Sequence, residues 1–474
     1  MTDCRQEVFE FQGIDSLKVT ADFRGGYLSS DGGGLLLREV ECRRGIIQRL
    51  SGCFTDHRDR RYIEHELPEL LAQRVFSLSL GYEDLNDHDR LRLDPLQALL
   101  AGKKDVLGKH RRDRKDKGKA LAGHATLNRL ELSAERLDAR YKKIEADPEK
   151  IEALLIEEGV KAIRRRSREV VLDFDATDDP LHGQQEGAYF HGYYRSYCYL
   201  PLYCFCGNIP LWAQLRDCKR DASDGTVAAL EKIVPALRRR FGRKVRIIVR
   251  ADSGFAREAI MAWCEQNGVG YCLGFARNER VTAELEPLFA QLEEELQTGK
   301  IELPCRGFKE FTYRTKKSWS CSRRVIGKAE ILAKGRNPRF IVTNLSTEEE
   351  PERFAAAALY ERFYCARGDM ENRIKEQQLD LFADRTSTRS MASNQLRLWF
   401  STFAHLMLSI LQACVLKGTE LEKATVGQIR LKLFKIAARI TVSCRRIHLE
   451  LASAYPYRAL FQRACRQLTR LERI

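Results

Sequence analysis

Two features of other protein classes are missing from this sequence: a long hydrophobic run and a framework of paired cysteines. The most apolar segment, residues 400–416, is short for a membrane span and contains His405 and Gln412, so it predicts a buried helix. Fifteen cysteines are spread along the 474 residues without a Cys-x-x-Cys pair, which is typical of reduced cysteine in an intracellular protein. The first residues show no basic stretch followed by an apolar core, so no signal peptide is expected.

Nucleotide-binding loops and internal repeats are also missing. The glycine-rich turn 31–34 precedes three leucines, but no Gly-Lys-Ser/Thr follows it, so a phosphate-binding loop is not favoured. The chain is 44% hydrophobic and 31% charged, as a globular protein should be, and its length predicts two or three domains. Residues 1–45 are expected to be β-rich, and residues 46–165 mainly helical.

Acidic residues are outnumbered by basic ones. The chain has 81 lysines and arginines against 66 acidic residues, which leaves a net charge of +15. Such an excess suits a polyanion such as nucleic acid, although an anionic lipid surface would also fit. The basic residues cluster in four blocks, at 103–119, 164–168, 238–244 and 430–446. Each block could be a solvated face, but two of them lead into acid-bearing strands, which favours a phosphate backbone crossing that region.

Three acidic residues stand in positions suited to metal-dependent chemistry. Asp175 and Asp252 each end a strand-like run, and Glu371 lies in a helical stretch. Mg²⁺ prefers carboxylate oxygens, and two ions roughly 3.5–4 Å apart stabilise both the attacking and the leaving oxygen of a phosphodiester. Asp173 shares a strand face with Asp175, but Asp175 is preferred because it lies at the strand end, where Thr177 can reach backbone or phosphate.

The predicted elements around the two aspartates follow the order of a mixed α/β sheet. Strands or β-prone segments are expected at 169–175, 187–206, 210–216, 245–251 and 269–275, with helices at 224–241 and 256–267. The order β-β-β-α-β-α-β, with acids ending the first and fourth strands, predicts an RNase H-like core. If those strands are neighbours, both aspartates meet at one edge of the sheet. A β-rich insertion, 278–346, is expected before the Glu371 helix, which should begin at Pro351 and end near residue 379.

One face of the predicted Glu371 helix is polar. Tyr364, Arg367 and Glu371 fall at i, i+3 and i+7, and Lys375 and Gln378 extend the stripe. Apolar residues border this stripe, and a polar face on an otherwise packed helix indicates a site. The alternative is a surface helix in which Arg367 and Glu371 form an i,i+4 ion pair.

The helix resembles the Tyr-x-x-Arg-x-x-x-Glu signature of the insertion-sequence DDE transposases called the YREK group. Short motifs that resemble those of family 1380 of bacterial insertion sequences occur across most of the chain, at 121–131, 172–180, 251–255, 367–372 and 384–387. The family signature has a lysine seven residues after the glutamate, where this chain has Gln378. Either Lys375 takes that role or the role is absent.

The resemblance implies a transposase that binds terminal inverted repeats and target DNA. It implies strand cleavage and strand transfer by a cut-and-paste route through hairpin ends, with Asp175, Asp252 and Glu371 as catalytic ligands of two Mg²⁺ ions, or of Mn²⁺ as a substitute. It further implies a homodimer in the synaptic complex, no membrane partner, and a bacterial cytoplasmic protein that is nucleoid-associated when bound to DNA.

Further residues are expected to contact DNA. Trp319, the only tryptophan of the insertion, would hold an unstacked base at a hairpin tip, or else be a structural, partly buried residue. The expected DNA-contacting residues are Tyr364, Arg367, Lys375, Gln378, Thr177, Trp319, Lys316, Lys317, Arg323, Arg111 and Arg112.

The expected layout has five parts. They are an N-terminal β-hairpin and helical DNA-binding or dimerisation region at 1–165, an RNase H-like core at 166–277 and 347–416, the insertion at 278–346, and a basic C-terminal region at 417–474. Two other functions fit the same residues: an RNase H-like nuclease or resolvase without strand transfer, and a DNA-binding protein with a dead site. A precut transposon end separates them, because only a transposase joins it to target DNA.

Overall fold

The computed structural model describes residues 8–132 and 143–469. The described strands are β1 Phe9–Ile14, β2 Leu17–Ala21, β3 Tyr27–Ser29, β4 Phe54–Asp56, β5 Ile144–Ala146, β6 Glu169–Ala176, β7 Asp179–Pro180, β8 Tyr189–His191, β9 Ser196–Tyr199, β10 Leu202–Cys206, β11 Ile209–Gln214, β12 Arg246–Ala251, β13 Gly270–Phe275, β14 Cys305–Tyr313, β15 Arg323–Leu332, β16 Gly335–Arg336, β17 Arg339–Thr343, β18 Ala438–Val442 and β19 Ile447–Leu451.

The described α-helices are α1 Leu35–Arg44, α2 Ile46–Ser51, α3 Leu67–Leu80, α4 His88–Leu91, α5 Pro95–Leu100, α6 His124–Glu131, α7 Pro148–Ala162, α8 Thr226–Phe241, α9 Glu258–Gln266, α10 Glu279–Ala283, α11 Glu286–Gln297, α12 Ala356–Ala358, α13 Gly368–Lys375, α14 Met391–Val415, α15 Val426–Ile429 and α16 Arg458–Thr469. The chain divides into two compact units, one of residues 1–146 with 410–474 and one of residues 147–409. The mixed α/β class is confirmed.

The first unit is mainly helical and contains three small groups of strands. β1 pairs with β2, β4 pairs with β5, and β18 lies between β19 and β3. The predicted β-rich character holds as far as β3, but it is wrong for residues 35–44, which form α1. Periodicity cannot separate a helix from a strand in a short apolar run such as Leu35-Leu36-Leu37.

The glycine turn 31–34 before α1 allows two backbone segments to pack closely. A Cβ on Gly33 would lie 1.8 Å from the carbonyl oxygen of Leu433, so only glycine allows this backbone approach. The preceding Asp31 is fully buried, and its carboxylate accepts bonds from Tyr82, Gln97 and Lys435 at 2.7, 2.9 and 2.7 Å. The turn therefore joins parts of the first unit that are distant in sequence.

The second unit contains a nine-stranded mixed sheet. Its order is β11-β10-β6-β12-β13-β17-β15-β14, with β16 paired to β15. β6 is antiparallel to β10 and parallel to β12, which is parallel to β13; β13, β17, β15 and β14 are then antiparallel in turn. The predicted strands 169–175, 245–251 and 269–275 and the helix 224–241 are confirmed within two residues at each end.

The insertion extends this sheet and does not form a separate β module. Residues 279–297 carry α10 and α11, which the expectation of a β-rich segment missed, and β14, β15 and β17 then join the main sheet beside β13. Antiparallel pairing from β13 to β17 continues the ladder without a new edge. The insertion is therefore built into the second unit's core.

Both faces of the sheet are covered by apolar side chains. Ile247 and Val249 of β12 enter one cluster, together with α8, α9 and α11, while Ile248 enters a second cluster with Phe354, Leu359 and Phe363. This alternation is the period of two expected of a strand. Each fully buried aliphatic side chain stabilises the fold by roughly 1.5–3 kcal/mol. Because β12 is buried on both faces, its position in the sheet is strongly determined.

A helical stretch at 356–380 lies against the second face. It changes pitch along its length: a π-helical turn at Leu359–Tyr364, a 3₁₀ turn at Cys365–Arg367, the α-helix α13, and a second π-helical turn at Glu376–Asp380. Single π turns inside helices are frequent at functional sites. The helical stretch begins at Ala356, five residues after the predicted start at Pro351, and residues 351–355 form turns and bends instead.

Helix α14 is long and apolar enough to cross a membrane by length and composition. In its most apolar window, 89% of the residues are buried inside the structure. Phe400, Phe403 and Leu406 are fully buried. The buried helix predicted at 400–416 is confirmed as part of this longer one.

Candidate active site

Asp175 and Asp252 stand side by side at one end of the central parallel strand pair. The register of β6 and β12 places Phe174 opposite Ala251, so the next residue on each strand is an aspartate. Phe174 and Ala251 both point into the first apolar cluster. Asp175 and Asp252 therefore point to the other face, towards the helical stretch 356–380. The expectation that these strands are neighbours is confirmed.

Glu371 reaches the same place through Arg367. One guanidinium nitrogen of Arg367 lies 3.2 Å from Asp175 Oδ2, and the other lies 2.9 Å from Glu371 Oε1. The Asp175 side chain is 14% exposed and that of Glu371 is 49% exposed. Arg367 thus makes the i,i+4 pair of a surface helix and also bridges the helix to the strand, so the polar stripe faces the aspartates.

The electrostatics of Asp175 are unusual for a carboxylate. Its pKa is raised to about 7, mainly by burial; Arg367 opposes the rise, whereas Asp252 and Glu371 contribute to it. The negative charges of Asp252 and Glu371 act on the pKa of Asp175, so the three carboxylates lie close enough to repel one another. A carboxyl group whose pKa is shifted by burial and by like charges is a candidate functional group.

The buried neighbour Asp173 has a different role. It is 4% exposed, and its two oxygens accept bonds of 2.5 and 2.8 Å from Arg250, which is 8% exposed. Arg250 also donates to the carbonyl oxygen of Phe363 at 2.5 Å. Burial raises the pKa of Asp173, and Arg250 opposes that shift. This pair ties β6 and β12 to the helical stretch, so Asp173 is a structural residue that supports the site.

Tyr364 packs against the backbone beside Asp252. A Cβ on Gly274 would lie 2.5 Å from the Tyr364 hydroxyl and 2.7 Å from the Ser253 amide nitrogen, so glycine is required there. Burial raises the pKa of Tyr364 to about 12, so its hydroxyl stays protonated at neutral pH. A cavity of about 400 Å³ opens next to it, with Arg277 and Arg339 among its lining residues.

Comparison with known families decides the class of protein. A family model described as transposase DDE domain, group 1, matches residues 11–473. The chain belongs to this family. It is a DDE-type transposase, an enzyme of DNA transposition and recombination. Its substrate is therefore DNA, as the positive charge of the sequence suggested.

No curated protein matches the transposase. Among solved structures it is similar to a piggyBac transposase synaptic complex with hairpin DNA, at 10% identity, with a TM-score of 0.36, covering 94% of this chain and 83% of that one. A similarity of this size supports no inference about individual residues.

The remaining polar residues near the acids divide into two groups. Gln378 donates to the carbonyl oxygen of Asp178 at 3.0 Å, and the Thr177 amide donates to Pro201 at 3.4 Å, so both brace the loop after β6. Lys375 is exposed on α13. Of the two positions considered for the family lysine, position 375 carries a lysine whose charge is exposed to solvent, and position 378 carries a glutamine that makes a structural hydrogen bond.

Two residues predicted to contact DNA are core residues of the transposase instead. Trp319 is 5% exposed and packs against Phe275 and Tyr313 at centroid distances of 5.1 and 5.7 Å. Arg323 is 4% exposed, and its guanidinium pairs with Glu258 and Glu265 at 2.6 and 2.7 Å. A stacking ring and a phosphate-binding cation must be exposed, so the burial of Trp319 and Arg323 disfavours the predicted contacts of both with DNA, which stay predictions.

The other predicted cations differ in exposure. Lys316 and Lys317 lie exposed on the loop between β14 and β15. Arg111 is mostly buried and pairs with Glu64 at 3.0 Å, whereas Arg112 is exposed and lies over the Tyr62 ring at 5.0 Å. Among the described residues Lys316, Lys317 and Arg112 have no ion-pair partner to lose on meeting a phosphate, whereas Arg111 has Glu64.

The carboxylates suit a divalent cation by chemistry, but they are not arranged as a finished metal site. Within residues 8–132 and 143–469, no group of three His, Cys, Asp or Glu side chains has an arrangement that could hold a metal ion. Arg367 instead lies between Asp175 and Glu371. Asp175, Asp252 and Glu371 supply the oxygen ligands that Mg²⁺ prefers, and the excess of negative charge there favours a cation.

A further acid close to the site, Asp179 on β7, is buried, and no pattern in the sequence marks it. Asp179 is 1% exposed, and neither carboxylate oxygen has a hydrogen bond of ordinary length within the described part of the chain. Burial raises its pKa to about 8, and Asp384 and Asp178 add to the shift. A buried carboxyl in this state is neutral at pH 7.

Proposed function

We propose that this transposase belongs to the YREK group and to family 1380 of insertion sequences, and that it moves DNA by a cut-and-paste route. In this proposal Asp175, Asp252 and Glu371 are its catalytic residues. One observation carries it: Arg367 contacts Asp175 and Glu371 together, at the strand end where Asp252 is the neighbouring residue. The Tyr364-x-x-Arg367-x-x-x-Glu371 spacing thus coincides with a physical cluster.

An RNase H-like core is part of the proposal. The strand order β11-β10-β6-β12-β13 supports it, because β6 is antiparallel to β10 but parallel to β12, and the acids follow β6 and β12. Open sheets of this kind bind ligands at the carboxyl ends of their parallel strands. We retain 166–277 and 347–416 as the two parts of this core, with 278–346 as an insertion, 1–165 as the DNA-binding or dimerisation region and 417–474 as the basic C-terminal region.

Two Mg²⁺ ions, or Mn²⁺ in their place, would be held by the carboxylates of Asp175, Asp252 and Glu371. Bound there, the ions would supply Lewis-acid activation and stabilise charge on the attacking and leaving oxygens. The carboxyl groups must be deprotonated to bind a cation. The raised pKa of Asp175 makes its deprotonation at neutral pH less favourable than that of an ordinary carboxyl group. A cation at this position would also replace Arg367 as the partner of Asp175.

Arg367 and Tyr364 would then position the DNA. Once released from the carboxylates, the planar guanidinium of Arg367 can hold two phosphate oxygens in a bidentate contact. Tyr364 keeps its proton and can donate a hydrogen bond from its hydroxyl. In the overall reaction, water cleaves one phosphodiester to leave a 3′-hydroxyl, and that hydroxyl attacks a second phosphodiester to give a hairpin end or a joined product.

The remaining contacts with DNA would be electrostatic. Lys375, Lys316, Lys317 and Arg112 are exposed cations, and cations of this kind bind the phosphate backbone without reading sequence. We propose terminal inverted repeats and target DNA as the substrates and a homodimer as the synaptic form, since two transposon ends must be held together.

The experiment compares Asp175→Ala, Asp252→Ala and Glu371→Ala with Asp369→Ala, a control that removes an exposed acid from α13. End-binding should survive in all four, because affinity comes from lysine and arginine, while cleavage should be lost in the first three only. The DNA ends are taken from the sequence flanking the gene. Full cleavage by any one of the three variants would remove that residue from the catalytic set.

A second arm tests the class of reaction. Wild-type protein is given a precut transposon end and a supercoiled target with Mg²⁺. Joined product is expected, because the 3′-hydroxyl of the precut end is the nucleophile of strand transfer. Hydrolysis of the ends without joining would identify a nuclease or resolvase and would overturn the cut-and-paste proposal.

A further inference from the structure

The β-hairpin formed by β8 and β9 exposes an unusual concentration of aromatic rings. Tyr189 is 38% exposed, Phe190 59%, Tyr193 84% and Tyr197 57%. Phe190 and Tyr197 meet edge to face at 5.6 Å, and Tyr193 meets Tyr194 at 5.0 Å. Single exposed aromatics are ordinary, but four exposed rings on one short hairpin, two of them in contact across its strands, mark an interaction surface.

The hairpin stands at the strand end that carries Asp175. β9 pairs with β7, with Asp179 opposite Tyr199, and β7 begins four residues after Asp175. The chain passes from β9 directly into β10, where Tyr203 lies opposite Asp175. Two hydrogen-bonded connections therefore hold the hairpin next to the candidate active site.

Electrostatic coupling supports the same placement. Burial raises the pKa of Tyr194, on the hairpin loop, to about 12, and the charges of Asp178, Asp175 and Asp252 add to the shift. Tyr194 also packs against Cys198, Leu200 and Cys218 at the base of the hairpin. Tyr194 thus lies within electrostatic range of the carboxylates, while Phe190, Tyr193 and Tyr197 remain open to solvent.

Cations accompany the rings. Arg195 is exposed at the hairpin tip, in a left-handed backbone conformation with φ of 55°, and Lys219 Nζ lies 3.5 Å from the centre of the Tyr189 ring. Aromatic faces interleaved with positive charge match a nucleic-acid strand, because bases stack on rings and phosphates bind cations. A purely apolar protein partner would leave these cations without a complementary charge.

We propose that the β8–β9 hairpin is a stacking surface for unpaired bases of the DNA strand next to the cleaved phosphate. This inference rests on the proposed function, since it places that phosphate at Asp175, Asp252 and Glu371. The rings of Phe190, Tyr193 and Tyr197 would hold bases by their faces, which every base offers, so the contact would not depend on sequence. Trp319, which the sequence predicted to hold an unstacked base, has a buried ring and cannot offer such a surface.

The test measures binding of oligo(dT) of about 20 nucleotides, longer than the 4–16 nucleotides that such surfaces usually cover, and of a duplex of equal length. The variant is Phe190→Ala/Tyr193→Ala/Tyr197→Ala in the full chain, without divalent metal. Losing stacked bases should weaken binding of oligo(dT) roughly 10-fold or more, with the duplex affinity changed less than twofold. Phe11→Ala, at a ring 60% exposed in the first unit, is the matched control.

A conservative variant, Tyr193→Phe/Tyr197→Phe, keeps the rings and should bind oligo(dT) as the wild type does. Circular dichroism checks that the triple alanine variant is folded; if it is not, Tyr193→Ala alone, at the most exposed ring, replaces it. Equal losses on both DNAs, or no loss on oligo(dT), would overturn the proposal. So would a change from dimer to monomer by light scattering at unchanged affinity, which would make the patch a subunit contact.

Failure here is distinguishable from failure of the proposed function. The binding assay contains no metal and involves no cleavage, whereas the proposed function is judged by cleavage and joining with wild-type protein. If wild type joins a precut end and the triple variant still binds oligo(dT) normally, only the stacking surface is refuted.

Discussion

The buried pair of Asp173 and Arg250 offers the sharpest test of which aspartate is catalytic. The sequence alone predicts that Asp173→Asn should be tolerated far better than Asp175→Asn, because Asp175 lies at the strand end. The structure changes that expectation for stability. Asp173 binds Arg250 through both oxygens, and both residues are more than nine-tenths buried. Asp173→Asn should therefore impair folding, and Asp175→Asn should impair chemistry.

The size of the effect follows from the charge left behind. Removing one partner of a buried ion pair costs roughly 3–5 kcal/mol, because the other charge remains buried without compensation. For a unit of this size, about 2–4 °C of Tm is lost per kcal/mol, so Asp173→Asn should lower Tm by roughly 6–20 °C. Arg250 keeps one bond, to the carbonyl oxygen of Phe363, which favours the lower half of this range.

Thermal unfolding by circular dichroism would measure this for Asp173→Asn, Arg250→Met and the double variant. The double variant should regain much of the loss, since no unpaired charge is left. The pH dependence also differs. Arginine stays charged, so Arg250 itself adds no pH dependence to the stability of Asp173→Asn between pH 5 and 8. In Arg250→Met, Asp173 has lost the group that lowers its pKa, so stability should fall as pH rises through that raised pKa.

One outcome would refute this reasoning. If Asp173→Asn melted within about 2 °C of wild type, below the cost of any unpaired buried charge, and yet lost cleavage, Asp173 would be the ligand. Arg250 would then be a phosphate contact. Asp175→Asn is the matched comparison, since it removes a charge from the same strand face and should lose cleavage without the fall in Tm expected for Asp173→Asn.

Three further predictions follow from the same structure. Because the pKa of Asp175 is about 7, the Mg²⁺ affinity measured by calorimetry should fall about tenfold per pH unit below 7. For the same reason the metal-free protein should lose stability as pH rises from about 4 to 7. Asp175→Asn should abolish both trends, and an Mg²⁺ affinity that does not depend on pH would contradict the assignment. Asp179→Asn should raise Tm, by an amount that grows between pH 4 and 8, since the wild type must keep a proton on a buried carboxyl; an equal gain at pH 5 and 8 would contradict this. DNA binding through the 103–119 and 430–446 blocks, at some 6–10 phosphates, should weaken by roughly 10³–10⁵ between about 50 and 200 mM salt, and a flat response would show that these blocks are solvated surface.

Local patterns were enough to predict the elements that carry the acids. Strand 169–175 is observed as Glu169–Ala176, and strand 245–251 as Arg246–Ala251. These runs are rich in β-branched residues and are bounded by polar turns, which are properties of the strand itself. The spacing of Tyr364, Arg367 and Glu371 likewise placed them on one side of a helical stretch, even though its pitch changes between them.

Tertiary structure alone decided what each side chain contacts. Trp319 and Arg323 have the composition of a DNA-binding loop, but the sheet extends through the insertion and buries both. Asp173 and Asp175 are two residues apart with the same chemistry; one is paired with Arg250, 77 residues away, and the other with Arg367, 192 residues away. Burial and pairing depend on such distant contacts, which no local period encodes. The sequence therefore identified the acids and their strands and favoured Asp175 by its place at the strand end, and only the packed sheet showed that Asp173 is paired with Arg250.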